Sequence, residues 1–571
     1  MESLRTQKLK RHAALVQERT SWMNRYRDLS EFILPFSGRF VSTDRNRGDK
    51  SFNSIYDSTG TRALRILAAG MMAGMTSPAR PWFRLATPDN ELMEVESVKL
   101  WLNAVSQLMR DIFARSNTYR ALHSMYEELG CFATTANLIE DDFDTVLWNY
   151  PLTAGEYCIA VNHKGRPDSL DREFEITVAQ LVEKFVYDKN TQKFDWTVAS
   201  HAVKNLYDGG RFDQWVPILH AIAPRTSQMR DAYKGDKRSN KNMPFSSCYF
   251  EMGGNEDKVL RESGFDEFPG TVARWHTRGG DIYGNGPGME ALGDIKQLQH
   301  EQFRKAQGID FMVKPPVILP PGMKGHEVEY LPGGVMHGDG APQSRGHNLM
   351  DVRIDLQHLL ADIVDVRGRV NQAFYADLFL AITNMPGIQP RNVHEIAERH
   401  EEKLLMLGPV LERLHDEMLS PKIDIAFAKI IKADLLRNLP PPPEMDGMDL
   451  KVEFVSTLAQ AQKAVGLGSL DRIIGTVALI SQGRGEPSAW DKLDTDQIID
   501  KYSDMLAIDP SCIVSDKKIA FIRKSRQEAQ AAQQVLAMAK PASDMANAAA
   551  TISEVDPDAA NDVTRSLMGY T

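Results

Sequence analysis

The chain has 571 residues, of which 42% are hydrophobic and 25% are charged, and these values argue against a disordered, collagen-like or disulfide-scaffold protein. The length exceeds what one hydrophobic core usually supports, so we expect more than one domain. A formal net charge of -10 argues against a broad basic surface that grips nucleic acid, although an acidic protein can still surround a duplex without adhering to it.

The cysteines and the apolar runs of the sequence indicate the cellular compartment in which the protein works. The four cysteines are widely spaced and form no CxxC pair, which favours a reducing environment over a disulfide framework or a zinc ribbon; they are Cys131, Cys158, Cys248 and Cys512. The first 20 residues lack the apolar core of a signal peptide, and no apolar run approaches the roughly 20 residues that span a bilayer. We therefore expect an intracellular protein that does not span a membrane.

Helical periodicity dominates the first 140 residues. Residues 1–35 place apolar side chains at helical spacing, with Lys and Arg between them, until Pro35 ends the pattern. We interpret this segment as a packed amphipathic helix with a solvated basic face, and a basic arm that touches nucleic acid is the less favoured alternative. Further helices are predicted over residues 57–76, 91–115 and 118–139, with an extended segment at 80–85.

The period changes between about residues 155 and 265. Short strand-like runs alternate there with clusters of Gly, Pro, Asn and Asp; the runs are Tyr157–Val161, Glu173–Thr177, Phe194–Ala199 and Cys248–Met252. The pattern predicts a β-containing region inserted among helices, and therefore a predominantly helical α+β fold.

Two long helices around a proline- and glycine-rich insertion are the central predicted feature. The segment Tyr283-Gly284-Asn285-Gly286-Pro287-Gly288 fits neither common phosphate-binding glycine motif and is interpreted as a structural turn in which Pro287 starts a helix. Apolar residues then recur at helical spacing until Lys314-Pro315-Pro316 ends the helix. Residues 314–349 predict a compact loop or short strands.

The second helix is predicted from about residue 350 to 381 and carries two stripes. Its apolar stripe comprises Val352, Leu356, Leu359, Ile363, Val370, Phe374 and Leu378, and its polar stripe comprises Asp355, His358, Asp362, Asp365, Arg369 and Gln372. One face should pack while the other faces water. Each helix would be roughly 37–45 Å long at about 1.5 Å per residue, enough to cross the wall of a ring.

The remaining residues predict a loop, a long broken helix and a helical C-terminal region. Residues 383–391 form the loop, and the helical stretch 392–436 contains Gly408-Pro409 and Pro421, which kink or break a helix. The run Pro440 to Pro443 marks a boundary before a strand at 450–454. An Ala-rich helix is predicted over residues 526–550, followed by a frayed end.

The search for catalytic motifs yields one weak candidate. His394, Glu395 and His400 resemble the HExxH zinc motif, but the histidines are six residues apart and Glu398 stands where the second histidine is required. We favour a solvated helix, and a metal-dependent hydrolase remains as the enzymatic alternative. The sequence otherwise contains no nucleophile motif, and we expect no enzyme activity, no cofactor and no metal site.

Three short segments carry a family resemblance. They are Arg80-Pro81-Trp82-Phe83-Arg84-Leu85, Glu127-Glu128-Leu129-Gly130-Cys131-Phe132-Ala133, and Ile282-Tyr283-Gly284-Asn285-Gly286 leading into Met289-Glu290-Ala291-Leu292-Gly293-Asp294. Together with the order of the predicted parts, from about residue 20 to 480, they resemble the portal, or head-to-tail connector, family of tailed bacteriophages, especially of podoviruses.

The resemblance implies a portal fold with wing, stem, clip and crown regions, which assembles into a ring that is typically a dodecamer. Mapped onto this sequence, the regions are a wing at 1–286 and 392–442, stem helices at 287–313 and 350–381, a clip at 314–349, a tunnel loop at 382–391, a crown at 443–525 and an Ala-rich helix or tail at 526–571. Another oligomeric phage component, such as a tail adaptor or scaffold, is the alternative.

The resemblance also implies function and partners. The ring would lie at the capsid vertex of a virion assembled in the host cytoplasm. It would conduct double-stranded DNA during packaging and ejection, and bind the terminase large subunit, tail adaptor proteins, and the major capsid and scaffolding proteins. Candidate channel residues are Asp355, Asp362, Asp365, Arg367, Arg369, Asn384, Met385, Gly387, Gln389 and Arg391, and candidate clip residues that dock the motor or adaptor are Lys324, His326, Glu327 and Arg345.

Charge counting supports the channel hypothesis. Residues 350–380 contain five Asp and three Arg, a net charge of -2 that would repeat in every subunit. Repulsion from phosphates would keep the duplex centred and sliding, with sparse contacts from Arg367 or Arg369.

Overall fold

The computed structural model describes residues 2–40, 54–89, 92–188, 191–231, 240–253, 256–313, 317–318, 347–348, 356–383, 407–445, 450–455, 473–481, 490, 493–506, 514, 518–531 and 533. Its helices are α1 (Leu4–Phe32), α2 (Thr59–Met75), α3 (Glu96–Arg115), α4 (Thr118–Phe132), α5 (Val178–Leu181), α6 (His201–Asp208), α7 (Ser227–Asp231), α8 (Pro287–Val313), α9 (Leu356–Ala373), α10 (Ala376–Thr383), α11 (Gly408–Leu414), α12 (Ser420–Lys432) and α13 (Thr495–Leu506). Residues 473–481 and 518–531 are also helical, and π-helical turns occupy Val182–Val186 and His415–Leu419.

The strands are β1 (Phe83–Ala86), β2 (Thr134–Asp142), β3 (Val146–Leu152), β4 (Tyr157–Val161), β5 (Pro167–Thr177), β6 (Tyr187–Asp188), β7 (Lys193–Phe194), β8 (Trp215–Pro224), β9 (Phe245–Glu251), β10 (Arg261–Phe265), β11 (Gly270–Arg274), β12 (Val317–Ile318), β13 (His347–Asn348) and β14 (Lys451–Phe454). A five-stranded antiparallel sheet has the order β10-β9-β8-β5-β4, and a three-stranded one has the order β11-β2-β3. Two-stranded pairs join β1 to β14, β6 to β7 and β12 to β13. The predicted mixture of helices and strands is confirmed.

The chain divides into two compact units. The first comprises Met1–Ala86, Ala104–Pro440 and Leu450–Leu506, and the second comprises Thr87–Asn103, Pro441–Asp449 and Ala507–Thr571. Within the second unit, the helix at 518–531 is tied to the start of α3 by an ion pair between Lys518 Nζ and Glu96 Oε1, 2.9 Å apart. Among the described residues, the sheets and the helix pair discussed below lie in the large first unit.

Helix α1 lies along the five-stranded sheet and is fixed to it by buried polar contacts. His12 lies between the carboxylates of Asp171, at 3.3 Å, and Glu173, at 3.0 Å. Arg19 donates to the carbonyl oxygens of Gly155 and Tyr157. The basic residues of this predicted amphipathic helix therefore include two that are buried against protein.

The predicted helix over residues 118–139 is wrong in its last seven residues. Helix α4 ends at Phe132, Ala133 adopts a left-handed φ of 58°, and Thr134 begins strand β2, the central strand of the three-stranded sheet. The run from Ala133 to Ile139 is buried, and a continuous apolar run carries no period that separates a buried helix from a buried strand.

The β-containing region is confirmed, with corrected boundaries. Strand β4 coincides with the predicted run, whereas β5 and β9 begin earlier than predicted. The predicted strand Phe194–Ala199 is wrong beyond Phe194, because Asp195 accepts hydrogen bonds from the backbone and hydroxyl of Thr197 and turns the chain. Strands β3, β8, β10 and β11 were not predicted.

The glycine-rich turn before α8 is structural, as predicted, because it approaches the α4–β2 junction closely. The Gly284 N–H donates to Thr134 Oγ1 at 2.8 Å. An added Cβ at Gly284 would lie 2.4 Å from the carbonyl oxygen of Ala133, and one at Gly288 would lie 2.3 Å from that of Cys131. The chain can approach the α4–β2 junction this closely at Gly284 and Gly288 only because these two residues carry no side chain.

We expect Gly288→Ala to lower the free energy of unfolding by about 1–3 kcal/mol, because the new methyl group overlaps a backbone carbonyl that cannot move freely. Urea denaturation of the purified chain measures the change. The matched control is Gly293→Ala in the same helix, where an added Cβ meets nothing within 4 Å; it should be neutral or stabilise by up to about 1 kcal/mol. Equal effects of both variants would contradict the packing argument.

The second long helix is interrupted, which corrects the prediction of one helix from 350 to 381. Helix α9 ends at Ala373, Tyr375 has a φ of 54°, and α10 begins at Ala376. Phe374 is fully buried and the Tyr375 ring stacks against Trp275 at 6.2 Å. The break occurs at a residue that is neither Gly nor Pro, so the sequence carries no ordinary breaking signal there. Residues 350–355 lie outside the described residues.

Candidate functional site

The helix pair α8–α9 forms an antiparallel hairpin whose described ends lead into the insertion. Its contact is apolar: Leu298 of α8 packs against Leu359, Ile363 and Val366 of α9. The apolar stripe predicted for the second helix is buried at Ile363 and Val370 of α9, at Phe374, and at Leu378 of α10. At the base of the insertion, β12 pairs with β13 through Val317–Asn348 and Ile318–His347, so the two chain segments that leave the helices run together.

A buried carboxylate, Asp57, links this hairpin to α2. Its Oδ2 accepts from Arg367 Nε at 3.0 Å, from Arg367 Nη2 at 2.7 Å and from Gln302 Nε2 at 3.1 Å, while its Oδ1 accepts from the backbone and hydroxyl of Thr59. The Gln299 side chain bonds the backbone of Tyr56 and Asp57. Burial raises the pKa of Asp57, but the hydrogen bonds from Thr59 and Arg367 outweigh it and hold the pKa below its usual value.

The other charged residues of the predicted polar stripe are engaged along the hairpin. Arg369 lies 3.2 Å from Asp294 of α8 and 3.4 Å from Asp365 on its own helix. Arg367, predicted as a possible DNA contact, is bound along one edge by Asp57. Arg369 therefore joins α9 to α8, and Arg367 joins α9 to the segment before α2. Asp365 remains largely exposed.

Two carboxyl groups meet across the helix pair. Glu301 of α8 is buried, its Oε1 accepts from Gln297 at 2.6 Å, and its Oε2 has no hydrogen-bond donor among the described residues. Burial and the neighbouring carboxyl of Asp362 raise the pKa of Glu301, whereas Gln297 and Arg369 act in the opposite direction. Asp362, which the sequence predicted as a channel residue, lies on the exposed surface of α9, and its carboxyl group neighbours that of Glu301.

The far half of α8 exposes apolar residues. Ile295 and Leu298 are buried, but Ile309, Phe311 and Val313 are exposed, Val313 to 72%. On α9, Leu360 and Val364 are also exposed, Val364 to 65%. We call Ile309 and Val313 of α8 and Leu360 and Val364 of α9, each pair spaced four residues apart on its helix, the apolar face of the hairpin, whereas Phe311 lies on the other side of α8. A face of this kind is typical of an interaction surface.

Several predicted site residues lie outside the described residues. They are Asp355, the loop residues Asn384, Met385, Gly387, Gln389 and Arg391, and the insertion residues Lys324, His326, Glu327 and Arg345. The possible zinc ligands His394, Glu395 and His400 lie outside them as well. Within the described ranges, no group of three or more His, Cys, Asp or Glu side chains could hold a metal ion.

Sequence reasoning missed four residues that build the site: Asp57, Asp294, Gln299 and Glu301. Asp57 was visible as a residue that starts a predicted helix, and Asx residues are common there. Its partner Arg367 is 310 positions away, and no local pattern connects the two. None of the helices described here has the length and apolar character needed to cross a membrane.

Comparisons with known proteins identify the family. A sequence model described as "Bacteriophage head to tail connecting protein" matches residues 5–514. A probable portal protein of Bordetella phage BPP-1 is 50% identical over 565 residues, which cover 99% of this chain and 98% of the relative. The portal protein of Salmonella phage epsilon15 is 42% identical over 556 residues, covering 96% of each.

The chain therefore belongs to the bacteriophage head-to-tail connecting protein family and is a portal subunit of the podovirus type. The family is structural rather than enzymatic, and its members are virion components that act as capsid-associated oligomers. A chain from the virion of a native gene transfer agent particle aligns with 67% of this chain at a TM-score of 0.28 and 12% identity, covering 90% of its own length; at that score it carries no argument.

Proposed function

We propose that copies of this portal subunit form a closed ring, typically a dodecamer, in which the α8–α9 hairpins line a channel for double-stranded DNA at the capsid vertex. The observation that carries the proposal is the apolar face of the hairpin. These side chains are exposed in a single copy, on two helices that pack against each other through the buried Leu298, Ile363 and Val366. A ring buries such a face on every hairpin by placing it against the neighbouring subunit.

The variant Val364→Lys tests ring formation. Val364 is 65% exposed, so a single copy should fold normally, whereas a lysine buried between subunits without a partner would weaken each interface at least about tenfold. Electron microscopy and analytical ultracentrifugation should show rings for the wild type and smaller species for the variant.

The control for this experiment is Ile431→Lys, which likewise replaces a β-branched aliphatic side chain by lysine at an exposed position of α12. It should leave the rings intact. Rings of normal size from Val364→Lys would refute the interface, and a 64.1 kDa monomer of the wild type at high concentration would refute the ring.

The channel proposal rests on Asp362 and Asp365, which are both exposed on α9. Repeated around a ring, these carboxylates would repel phosphates and let the duplex slide. The double variant Asp362→Lys/Asp365→Lys should still form rings, since neither carboxylate is buried and a lysine at 362 offers Glu301 a partner. In a phage complementation assay it should reduce DNA-filled particles about tenfold or more.

Charge reversal at an exposed residue outside the hairpin, Asp213→Lys, serves as the control and should package normally. Normal packaging by the double variant would mean that Asp362 and Asp365 do not face the DNA.

The regional assignment and the partners follow as further parts of the proposal. Wing, clip and crown keep the boundaries given above, whereas the second stem helix extends to Thr383 and the tunnel loop begins after it. Lys324, His326, Glu327 and Arg345 lie in the clip that docks the terminase large subunit and later the tail adaptor. Asn384, Met385, Gly387, Gln389 and Arg391 form the loop that touches DNA. Major capsid and scaffolding proteins surround the ring. Family membership favours the portal over the tail-adaptor and scaffold alternatives, and the structural character of the family argues against the hydrolase.

A further inference from the structure

One rung of the five-stranded sheet carries an unusual row of side chains. The strand register pairs Arg172 with His220, His220 with Tyr249, and Tyr249 with Arg261. Residues directly opposite each other point to the same face of a sheet. The His220 ring stacks on Tyr249 with centroids 3.7 Å apart, and the Arg261 guanidinium lies 4.9 Å from the Tyr249 ring centroid. The four side chains form a row with an arginine at each end and two stacked rings, His220 and Tyr249, between them.

A third cation joins the row from the π-helical turn Val182–Val186. Lys184 Nζ lies 5.7 Å from the ring centroid of Tyr249. Burial of His220 and the like charges of Arg172, Arg261 and Lys184 hold its pKa far below the usual value, so His220 stays neutral. The fixed positive charges are therefore three: Arg172, Lys184 and Arg261.

One carboxylate, Glu140, faces these three cations. It accepts a hydrogen bond from the Tyr249 hydroxyl at 2.8 Å, but its oxygens lie 3.6 Å from Arg172 Nη2 and 3.8 Å from Lys184 Nζ. Arg261 makes no ion pair with any described residue. The cluster thus has a net charge of +2, in a protein whose overall charge is -10.

The cations also have unused hydrogen-bonding capacity. Arg172 is 5% exposed, and its Nε has no hydrogen-bond partner among the described residues. The pKa of Lys184 is below its usual value. Burial and the positive charges of Arg172 and Arg261 lower it, and Glu140 opposes them only in part. Arg261 is exposed and Lys184 is about one-third exposed, so an anion can reach both from solvent.

We propose that Lys184 and Arg261, to whose positive field the buried Arg172 adds, bind a phosphate-type oxyanion, either a free phosphate or a backbone phosphate of nucleic acid. A tetrahedral oxyanion accepts several hydrogen bonds at once and matches the donor geometry of guanidinium and ammonium groups. The negative charge of the oxyanion offsets the positive charge of the cluster that Glu140 leaves uncompensated. This inference is independent of the proposed ring and channel.

The test titrates inorganic phosphate into the purified full-length chain at constant ionic strength, with chloride as the reference anion, and follows the thermal unfolding midpoint. Phosphate should raise the midpoint more than chloride does. Lys184→Gln and Arg261→Gln should each weaken the apparent phosphate affinity about tenfold or more, because each removes a charge-assisted contact. The control Arg211→Gln, at an exposed arginine outside the cluster, should bind phosphate like the wild type.

The variant Glu140→Gln removes the carboxylate that faces the three cations, so it should tighten phosphate binding several-fold. A phosphate effect no larger than that of chloride, or one that persists in both glutamine variants, would overturn the proposal. So would weaker binding by Glu140→Gln. Random-sequence duplex DNA distinguishes the two sources: competition with phosphate assigns the site to a nucleic-acid backbone, and absence of competition assigns it to free phosphate.

Discussion

Glu417→Ala should lower the free energy of unfolding by about 3–5 kcal/mol, because it leaves a buried guanidinium without its counter-charge. Arg274 of β11 is 3% exposed and forms a two-pronged contact with Glu417 of the π-helical turn. The Arg274 backbone N–H also donates to Glu417 at 3.1 Å. The pair fixes the turn between α11 and α12 to the three-stranded sheet, and chemical denaturation of the purified chain measures its loss.

Two further variants separate charge from packing. Glu412→Ala removes an exposed carboxylate from the same helical segment and should change stability by less than about 0.5 kcal/mol. The double variant Arg274→Met/Glu417→Leu replaces both partners by apolar side chains and should recover most of the lost stability. A loss as large in the double variant as in Glu417→Ala would show that the effect is not an uncompensated charge.

His12→Gln should destabilise the protein in a pH-dependent way. Burial lowers the pKa of His12, but hydrogen bonds and charge attraction from Asp171 and Glu173 outweigh it and raise the pKa to about 9. A folded-state pKa above the unfolded value of about 6.5 means that the imidazolium stabilises the fold fully below pH 6.5. That contribution is lost as the pH rises through 9.

At pH 6 the wild type should therefore exceed His12→Gln by about 3 kcal/mol, and the difference should close by about pH 10. Urea denaturation at several pH values measures both curves. The control His163→Gln alters an exposed histidine in the β4–β5 turn and should leave the pH dependence unchanged. A constant difference between wild type and His12→Gln from pH 6 to 10 would rule out the buried imidazolium.

The elements that sequence patterns predicted best are those with local signals. Helix α8 begins at Pro287 and ends at Val313, as predicted. Proline favours the first position of a helix, and Lys314-Pro315-Pro316 ends it. Helix α1 follows the segment predicted over residues 1–35, and its buried residues Leu15, Tyr26 and Leu29 recur at helical spacing. The family resemblance rested on segments that the structure places in packed positions, such as Trp82 and Phe83 against Phe113.

The elements that were missed lack such signals. Ala133 and Tyr375 adopt left-handed backbone conformations that end α4 and separate α9 from α10, although neither is Gly or Asn. Surrounding packing holds these conformations against their local cost, and such packing depends on residues distant in sequence. The strand β8 was missed although it lies in the middle of the five-stranded sheet, because its nearly continuous burial leaves little alternation to detect.

The sequence by itself determined the helical α+β class, the helix pair around its insertion and membership of the portal family, because periodicity, proline stops and short family segments are all local. Tertiary structure alone decided which charges meet. Asp57 with Arg367, Arg274 with Glu417, and the cationic rung around Tyr249 join residues tens to hundreds of positions apart. The energy of an ion pair depends on the distance between the two charges and on their burial. Neither can be inferred from the number of residues that separate them in the chain.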